Sequence, residues 1–448
     1  MDDTPGISEI GKTPAGHRST LFIVFLVVFI DLLGFGIVLP LLPLYAVDFL
    51  TPLFPGEENR PFRGMILGLL MSSFSAMQFL FAPLWGRVSD RVGRRPLLLL
   101  GLAGSVVFYT LFGIASEIGE AGRQTLGLAL LFVARLGAGV AGATISTAQA
   151  VIADVTTSEG RSRGMAMIGA AFGIGFTFGP LLGFASLFVP MAGAPGFAAA
   201  AFSLIALLLA IRLLPETLRP GAELRPRRWI DWSGLQAALR TPSVGILIFI
   251  FFLATFAFGG LESTLALGNK LLLNPRGDLH SELTVEAAKT STERKNFLVF
   301  AYVGFVLVLA NMGYRRLVKR KIEVLFLRIG SIFMGLGLAG AVGILLIRNP
   351  EETSAAVFIL ALLAMTLAVI GFACITPSIQ ALVSRRTDPA KQGEILGINQ
   401  SGAALARILG PFVGLSLFDL SQNHIWPYVF GVGLVVVVFL LTLRVQQD

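Results

Sequence analysis

Long intervals without a charged residue constrain this chain more than any other feature of its sequence. A helix that crosses a bilayer needs about 20 apolar residues. Eight charge-free intervals reach about that length, and the one at 164–211 has 48 residues, which is enough for two helices. Three further apolar segments each contain a single charge, at Asp31, Arg135 and Arg407. The pattern predicts an all-α membrane protein with twelve transmembrane helices.

The composition agrees with a chain that lies mostly in lipid. Only 14% of the residues are charged and 55% are hydrophobic, whereas soluble proteins carry about 25% charged residues. This excludes a soluble enzyme. The one cysteine, Cys374, excludes a disulfide framework and a cysteine-based metal site, and no ATP-binding motif is present. We attribute the net charge of +8 to loop arginines beside an anionic membrane surface rather than to nucleic acid.

Lysine and arginine place both termini on one side of the membrane. An even number of helices puts the two termini on the same side. Of the 35 Lys and Arg residues, 24 lie in the termini and the loops of that side, and 9 lie in the opposite loops. Cytoplasmic loops carry the excess of basic residues. We therefore expect cytoplasmic termini, in an integral protein of the cell's inner membrane.

A polar stretch divides the chain into two halves. Pro215–Arg240 is polar and contains five arginines and two tryptophans. Basic residues beside tryptophans are typical of a linker that rests on the inner leaflet. The expected organisation has four parts. They are a disordered cytoplasmic tail over 1–18, an N-terminal six-helix bundle over 19–214, a cytoplasmic basic linker over 215–242, and a C-terminal six-helix bundle over 243–448 with a short cytoplasmic tail.

The two halves repeat one helix motif. Gly179-Pro180-Leu181-Leu182-Gly183 in the fifth helix matches Gly410-Pro411-Phe412-Val413-Gly414 in the eleventh, at an offset of 231 residues. Gly86 and Gly313, which end the second and eighth helices, match at an offset of 227. Parallel six-helix repeats around a central site are a transporter architecture. The repeat therefore predicts two pseudo-symmetric six-helix bundles.

Four motifs resemble those of the major facilitator superfamily. The run Gly86-Arg87-Val88-Ser89-Asp90-Arg91-Val92-Gly93-Arg94-Arg95 matches the signature G-x-x-x-D-R-x-G-R-R of the loop between helices 2 and 3. The other three resemble helices 1, 4 and 5 of tetracycline and multidrug proton antiporters. They are Asp31-Leu32-Leu33-Gly34-Phe35-Gly36, Arg135-x-x-x-Gly139 and Gly175-x-x-x-Gly179-Pro180-x-x-Gly183. The resemblance implies the major facilitator fold and proton-driven efflux of an amphipathic small molecule by alternating access.

Asp31 and Arg135 are the candidates for proton coupling. A charge at mid-membrane costs about 2.5–3.5 kcal/mol on insertion scales, so Asp31 should face a wet cavity or a partner. Protonation neutralises a carboxylate, which makes Asp31 suited to carry a proton, although a structural hydrogen bond across helices is the alternative. Arg135 keeps its proton, so its role would be electrostatic or that of a purely structural partner.

Asp31, Glu262 and Arg407 are the candidates for lining the substrate cavity. Glu262 lies near the outer part of helix 7, where an interfacial position in contact with water is the alternative. Arg407 is the counterpart of Arg135 in helix 11 and could equally be a packing anchor. Together with Arg135 these charges sum to zero, so the charge of the substrate stays open. Asp48 ends helix 1, where we expect it to be exposed.

The loop signature indicates a cytoplasmic gate. Arg94 can bridge Asp90 to Asp154 at the end of helix 4, although the arginines could serve membrane topology alone. The gate residues are Gly86, Asp90, Arg91, Gly93, Arg94, Arg95 and Asp154. Glycines let helices approach closely in membranes. The candidates for such packing are Gly175, Gly179, Pro180, Gly183, Gly410, Pro411 and Gly414.

Two other functions fit the same sequence. One is a proton-coupled symporter or facilitator for a metabolite, and the other is a membrane scaffold or receptor that has kept the fold without transporting. The buried charges argue against a scaffold, which has no need of them. In each case we expect a non-enzymatic monomer with no cofactor or metal, whose partners are a small molecule, protons and the lipid bilayer.

The topology is tested by cysteine labelling. A cysteine placed within 215–240 should react with a membrane-impermeant reagent only when the reagent reaches the cytoplasmic side, because 24 of the 35 basic residues mark that side. Labelling from outside intact cells would contradict this topology.

Overall fold

The computed structural model describes residues 15–156, 158–218, 242–273, 286–317, 323–348, 355–387, 392–420 and 422–446. These residues form fourteen α-helices and two short 3-10 turns, with no strand among them. The helices are α1 (Ala15–Val38), α2 (Leu42–Leu53), α3 (Arg60–Val92), α4 (Arg94–Glu120), α5 (Gln124–Ala141), α6 (Ile145–Val155), α7 (Ser158–Ser186), α8 (Ala194–Leu213), α9 (Pro242–Leu273), α10 (Glu286–Leu317), α11 (Glu323–Ile347), α12 (Ala355–Arg386), α13 (Gln392–Phe418) and α14 (Trp426–Leu443).

The fourteen helices make twelve passes, which confirms the predicted number. Two passes are broken into pairs of helices, α1 with α2 and α5 with α6. Eleven passes have described segments long and apolar enough to span a membrane, and Gly173–Ser186 of α7 is a shorter apolar segment. Helices suit a bilayer because all their backbone hydrogen bonds close within the segment.

The first pass is longer than predicted and is not continuous. The sequence indicates one segment over 19–47, but α1 stops at Val38 and α2 runs from Leu42 to Leu53. Pro40 and Pro43 lie at the break, and proline has no backbone N–H to donate to the preceding turn. The helix also begins at Ala15, so residues 15–18 are helical, although the sequence predicts a disordered tail there.

The same pairs of helices pack in each half. In the N-terminal half α1 packs on α7 and α8, α3 on α5, and α4 on α8. In the C-terminal half α9 packs on α13 and α14, α10 on α12, and α11 on α14. Each contact in one half has its counterpart in the other, as the two pseudo-symmetric bundles require.

Glycines bring the backbones of the paired helices together. A Cβ added to Gly179 on α7 would lie 2.7 Å from the Cα of Gly36 on α1. A Cβ on Gly410 of α13 would lie 3.1 Å from the Cα of Gly259 on α9, and one on Gly414 would lie 2.9 Å from that of Gly260. The repeated Gly-Pro motif therefore makes the same interhelical contact twice. Small residues at such positions are what membrane helices need for close packing.

Among the described residues, three pairs of helices make the main contacts between the halves. They are α3 with α13, α7 with α10, and α2 with α9. We call the end of the bundle at Val92 and Leu213 the basic face, and the other end the opposite face. Close contacts between the halves run from Gly173 beside Val308, near mid-bundle, to Gly64 beside Leu415 toward the opposite face.

The expected linker lies mainly outside the described residues. The four residues 215–218 that follow α8 are described, and they are not helical. The remaining linker positions up to 241 are not described, and α9 begins at Pro242.

The glycine contact is tested by adding one methyl group. Gly179→Ala should destabilise the protein by about 1–3 kcal/mol, because the new Cβ overlaps backbone atoms that cannot move aside. The measurement is the thermal unfolding temperature in detergent. Gly343→Ala is the matched control, since a Cβ at Gly343 of α11 meets nothing within 4 Å. Equal effects of the two variants would contradict the close contact.

Candidate functional site

Arg135 is a buried cation inside the N-terminal half. It lies on α5, is 3% exposed, and places its Cζ 4.7 Å from the ring centroid of Phe74 on α3 and 5.9 Å from that of Phe35 on α1. Its Nη2 donates to the carbonyl of Met71 at 3.4 Å. Its Nε and Nη1 have no hydrogen-bond partner among the described residues. A buried charge with unused donors is costly, so this position favours an anion beside it.

Asp31 lies on the helix that contacts Arg135. Its side chain is outside the described part of the structure, but its backbone belongs to α1. Residues four apart lie on one face of a helix, so Asp31 shares a face with Phe35, about one turn away, or roughly 6 Å along the axis. The fold therefore brings the two coupling candidates, predicted from helices 1 and 4, to the same region of one half.

Glu262 and Arg407 form a pair of charges in the C-terminal half. Glu262 follows Gly259 by three residues on α9, and Arg407 precedes Gly410 by three residues on α13. The contact between those glycines holds the two helices together, which places the two opposite charges on neighbouring helices. Glu262 is half-buried, whereas Arg407 is exposed. The C-terminal half therefore carries an acid and a base on two helices that pack together.

The loop signature folds into a compact cluster at the basic face. The Nη1 of Arg94 lies 2.5 Å from Oδ1 of Asp90, and its Nε lies 3.2 Å from Oδ2 of Asp154. Nη1 also donates to Oγ of Ser89 at 2.7 Å. All four residues belong to the N-terminal half. In this state the described contacts of the cluster tie α3, α4 and α6 together.

The remaining residues of the signature have different roles. Gly93 has a φ of +115°, which suits glycine, and it separates α3 from α4. Arg95 donates to the carbonyl of Ile211 on α8 at 2.6 Å. Arg91 is exposed. Gly86 has room around it, because a Cβ added there would lie 3.8 Å from Oγ of Ser146, with no other described atom of a neighbouring helix within 4 Å.

Glu216 completes the cluster and was missed by the sequence analysis. Its carboxylate accepts backbone N–H groups of Arg94 and Arg95 at 2.9 and 3.1 Å, and those of Thr217 and Leu218 at 2.9 Å each. The first two lie at the N-terminus of α4, where the helix dipole favours an anion. Burial raises the pKa of this carboxyl, but the four hydrogen bonds outweigh burial and hold the pKa below its ordinary value. The start of the linker is thereby docked on the loop.

The C-terminal half has a salt bridge at the equivalent place, with its charges reversed. Glu323 begins α11 and pairs with Arg385 near the end of α12. Their offsets from Arg94 and Asp154 are 229 and 231 residues, close to the offset of the Gly-Pro repeat. Sequence matching missed this pair because it compared residue types, and here the acid and the base have exchanged places.

Asp48 is not simply an exposed helix end, as the sequence suggested. Its carboxylate is 29% exposed and lies 3.6 Å from Nζ of Lys270, whose side chain is 5% exposed. Lys270 lies on α9, so this ion pair joins the two halves near the opposite face. No motif in the sequence marks these two residues as neighbours.

Two six-helix bundles with the same internal packing, and with charges held inside their membrane-spanning helices, define a secondary transporter. The family model described as Major Facilitator Superfamily matches residues 24–369 and 298–446. The chain belongs to the Major Facilitator Superfamily, which is a family of transporters and not of enzymes.

Relatives of two kinds are similar over most of the chain. The tetracycline resistance protein, class E, of Escherichia coli is 29% identical over 94% of this chain and 94% of its own length. The human major facilitator superfamily domain-containing protein 10 is 30% identical over 90% of this chain and 88% of its own length.

Solved structures show the same fold. The crystal structure of the human organic anion transporter MFSD10 (TETRAN) is similar with a TM-score of 0.64 at 26% identity, covering 96% of this chain and all of that one. A D-xylose-proton symporter is similar in fold with a TM-score of 0.70 at 18% identity, covering 95% of this chain and 97% of that one.

The docking of Glu216 is tested by protease access to the linker. Glu216→Gln should speed tryptic cleavage within 219–241 several-fold in the detergent-solubilised full chain, because a neutral amide accepts these hydrogen bonds less strongly. Because the pKa of Glu216 is lowered, the docking should protect the linker from cleavage at any pH above the ordinary glutamate pKa. This protection should be lost as the pH falls through the lowered pKa.

Glu117→Gln is the matched control for this experiment. The Glu117 carboxylate also accepts a backbone N–H, that of Gly193 at 2.7 Å, but at the opposite face. An equal rise in cleavage in both variants, or none in Glu216→Gln, would contradict the docking.

Proposed function

We propose that the chain is a proton-coupled antiporter that exports an amphipathic small molecule across the cell's inner membrane. The proposal is supported by the similarity to tetracycline resistance proteins of Escherichia coli over nearly the whole chain. It is supported also by the three antiporter-like motifs in helices 1, 4 and 5, beside the superfamily signature in the loop between helices 2 and 3. In this proposal the protein works as a monomer with both termini in the cytoplasm.

The observation that carries the proposal is the uncompensated charge of Arg135. Two of its donors have no partner among the described residues, and it lies 3% exposed between two phenylalanine rings. Asp31 lies on α1 about one turn from Phe35, whose ring centroid is 5.9 Å from the Cζ of Arg135. Ionisable residues within a membrane are candidates for a functional role by default. Asp31 and Arg135 are candidate partners of each other.

The proposed coupling is an exchange of charge at Asp31. When Asp31 is ionised, it compensates Arg135. When Asp31 takes up a proton, that compensation is lost and the local electrostatics of α1, α3 and α5 change. A ligand shifts a conformational equilibrium only by its differential affinity for the two states. A proton at Asp31 supplies such a difference. In the proposal, proton binding and substrate binding exclude each other, so the proton is taken up in the state that releases the substrate.

With the termini cytoplasmic, the basic face is the inner side of the membrane. The described contacts between the halves lie from mid-bundle to the opposite face, so this state corresponds to one closed toward the outside. In the proposal, the cluster of Asp90, Arg94 and Asp154 holds three helices of the N-terminal half together at the inner side, so that this half moves as one unit.

A second candidate is the transport of organic anions. It is favoured by the free Nε and Nη1 of Arg135, which could bind a carboxylate in place of Asp31, and by the similarity to the human organic anion transporter MFSD10. In this candidate Arg135 contacts the anionic group, and Phe35 and Phe74 contact the apolar part of the substrate. Glu262 and Arg407 carry opposite charges on neighbouring helices, and in this candidate the charge preference lies with the N-terminal half.

Asp31→Asn tests the coupling. The amide has the same volume as the carboxylate but cannot carry a proton, so uptake driven by an imposed pH gradient into proteoliposomes should fall to background, while exchange of substrate without a gradient continues. The measurement uses tetracycline and an aromatic carboxylate as separate substrates. Glu58→Gln, at an exposed carboxylate, is the control and should transport normally.

The outcomes separate the candidates. Accumulation against a gradient by Asp31→Asn would rule out Asp31 as the coupling residue. Transport of the carboxylate but not of tetracycline would favour the organic-anion function, and movement of substrate with the protons rather than against them would favour a symporter.

A further inference from the structure

A buried polar contact joins the two halves near the opposite face. Asn296 on α10 is 1% exposed and Asn269 on α9 is 5% exposed. The Nδ2 of Asn269 donates to Oδ1 of Asn296 at 2.8 Å, and the Nδ2 of Asn296 donates to the carbonyl of Pro40 at 3.0 Å. The two asparagines belong to the C-terminal half and Pro40 to the N-terminal half, so the chain of hydrogen bonds crosses between them.

The break in the first pass explains why the Pro40 carbonyl can accept this bond. In a continuous helix that carbonyl would accept the N–H of Leu44, four residues on. Here α1 ends at Val38 and α2 begins at Leu42, and the N–H of Tyr45 donates to Leu41 at the start of α2. The last carbonyls before a break have no intrahelical donor, and Asn296 supplies one from the other half.

Two further contacts join the halves at the same level. The ion pair of Lys270 with Asp48, at 3.6 Å, connects α9 with α2. Lys270 directly follows Asn269. The Cζ of Arg294 lies 4.8 Å from the ring centroid of Phe188, which connects α10 with the residues that follow α7, and Arg294 lies two residues before Asn296. Each of the neighbouring contacts therefore pairs one half with the other.

We propose that Asn296 is the positioning residue of an outer gate, formed by Asn269, Asn296, the Pro40 carbonyl and the Lys270–Asp48 ion pair. This outer gate holds the opposite face shut, and it breaks when the transporter opens on that side. The proposal goes beyond the function proposed above, because it depends neither on proton coupling nor on the substrate.

The location of the polar contacts supports this assignment. At the basic face, the described salt bridges Arg94–Asp154 and Glu323–Arg385 each lie within one half, so a relative movement of the halves leaves them intact. The outer gate spans the halves, so the same movement must break it. An asparagine suits this role because its amide donates and accepts at once, without the desolvation cost of a charge.

Asn296→Ala tests the outer gate by measuring how far apart the two halves lie at each face. Spin labels are placed in full-length Cys374→Ala protein at exposed positions 58 and 423 for the opposite face, and at 92 and 317 for the basic face. Removing both hydrogen bonds of Asn296 should raise the ratio of long to short distances at the opposite face about tenfold. The distances at the basic face should shorten in the same variant.

Asn311→Ala is the matched control on the same helix. The Asn311 side chain donates only to the carbonyl of Leu307 in its own helix, at 2.8 Å, so its loss should leave both distance distributions unchanged. If Asn296→Ala does not fold, Lys270→Gln provides the same measurement, since it removes the ion pair to Asp48 and leaves Asn296 in place.

The results decide as follows. A longer distance at the opposite face in folded Asn296→Ala or Lys270→Gln protein, with no change in Asn311→Ala, supports the outer gate. Unchanged distances in a folded Asn296→Ala protein, or equal changes in Asn311→Ala, would overturn it. Because the readout is a distance, failure of the outer gate is distinguishable from failure of proton coupling, which is read from transport.

Discussion

The close approach of α1 to α7, and of α9 to α13, is the contact on which the rest of the structure depends. Lipid is as apolar as the helices themselves, so apolar side chains give little reason for one helix to prefer another, and close packing of small residues decides the arrangement. Gly36 against Gly179, and Gly259 against Gly410, provide that packing. In one half they hold α1, whose Phe35 lies beside Arg135. In the other half they hold α9, which carries Glu262, against α13, which carries Arg407. The site is therefore built on backbone contacts, and each half is packed as a unit.

The polar interactions are arranged differently at the two ends of the bundle. At the basic face, Arg94 and Glu216 connect helices and linker within the N-terminal half, and Glu323 with Arg385 connects helices within the C-terminal half. Toward the opposite face, Asn296 and Lys270 connect one half with the other. The first set stabilises each half as a rigid unit, and the second set stabilises one relative position of the two. A transporter that alternates between two states needs both kinds of interaction.

The sequence predicted the number of membrane passes, the two bundles and the family, because these depend on hydropathy, on charge counts and on motifs that are local in the chain. It also identified the residues of the loop cluster, since Asp90 and Arg94 are one helical turn apart. It did not identify Glu216, Asn296 or the Lys270–Asp48 pair. Each of these depends on a partner between 122 and 256 residues away, and neither hydropathy nor residue type reports which helix lies next to which. The break at Pro40 was visible as two prolines, but its use as an acceptor became apparent only with α10 in place.

The glycine contacts have a consequence for how such a protein changes over evolutionary time. An interface made of Cα and carbonyl atoms constrains a few positions completely and leaves most of the surrounding side chains free to vary among apolar types. The outside of the bundle exposes aliphatic residues such as Leu208, Leu363 and Val436. At such positions one aliphatic side chain contacts lipid as well as another. Substitutions can therefore accumulate over most of the surface without displacing a helix. A protein as different in sequence as a D-xylose-proton symporter, at 18% identity, has the same fold with a TM-score of 0.70.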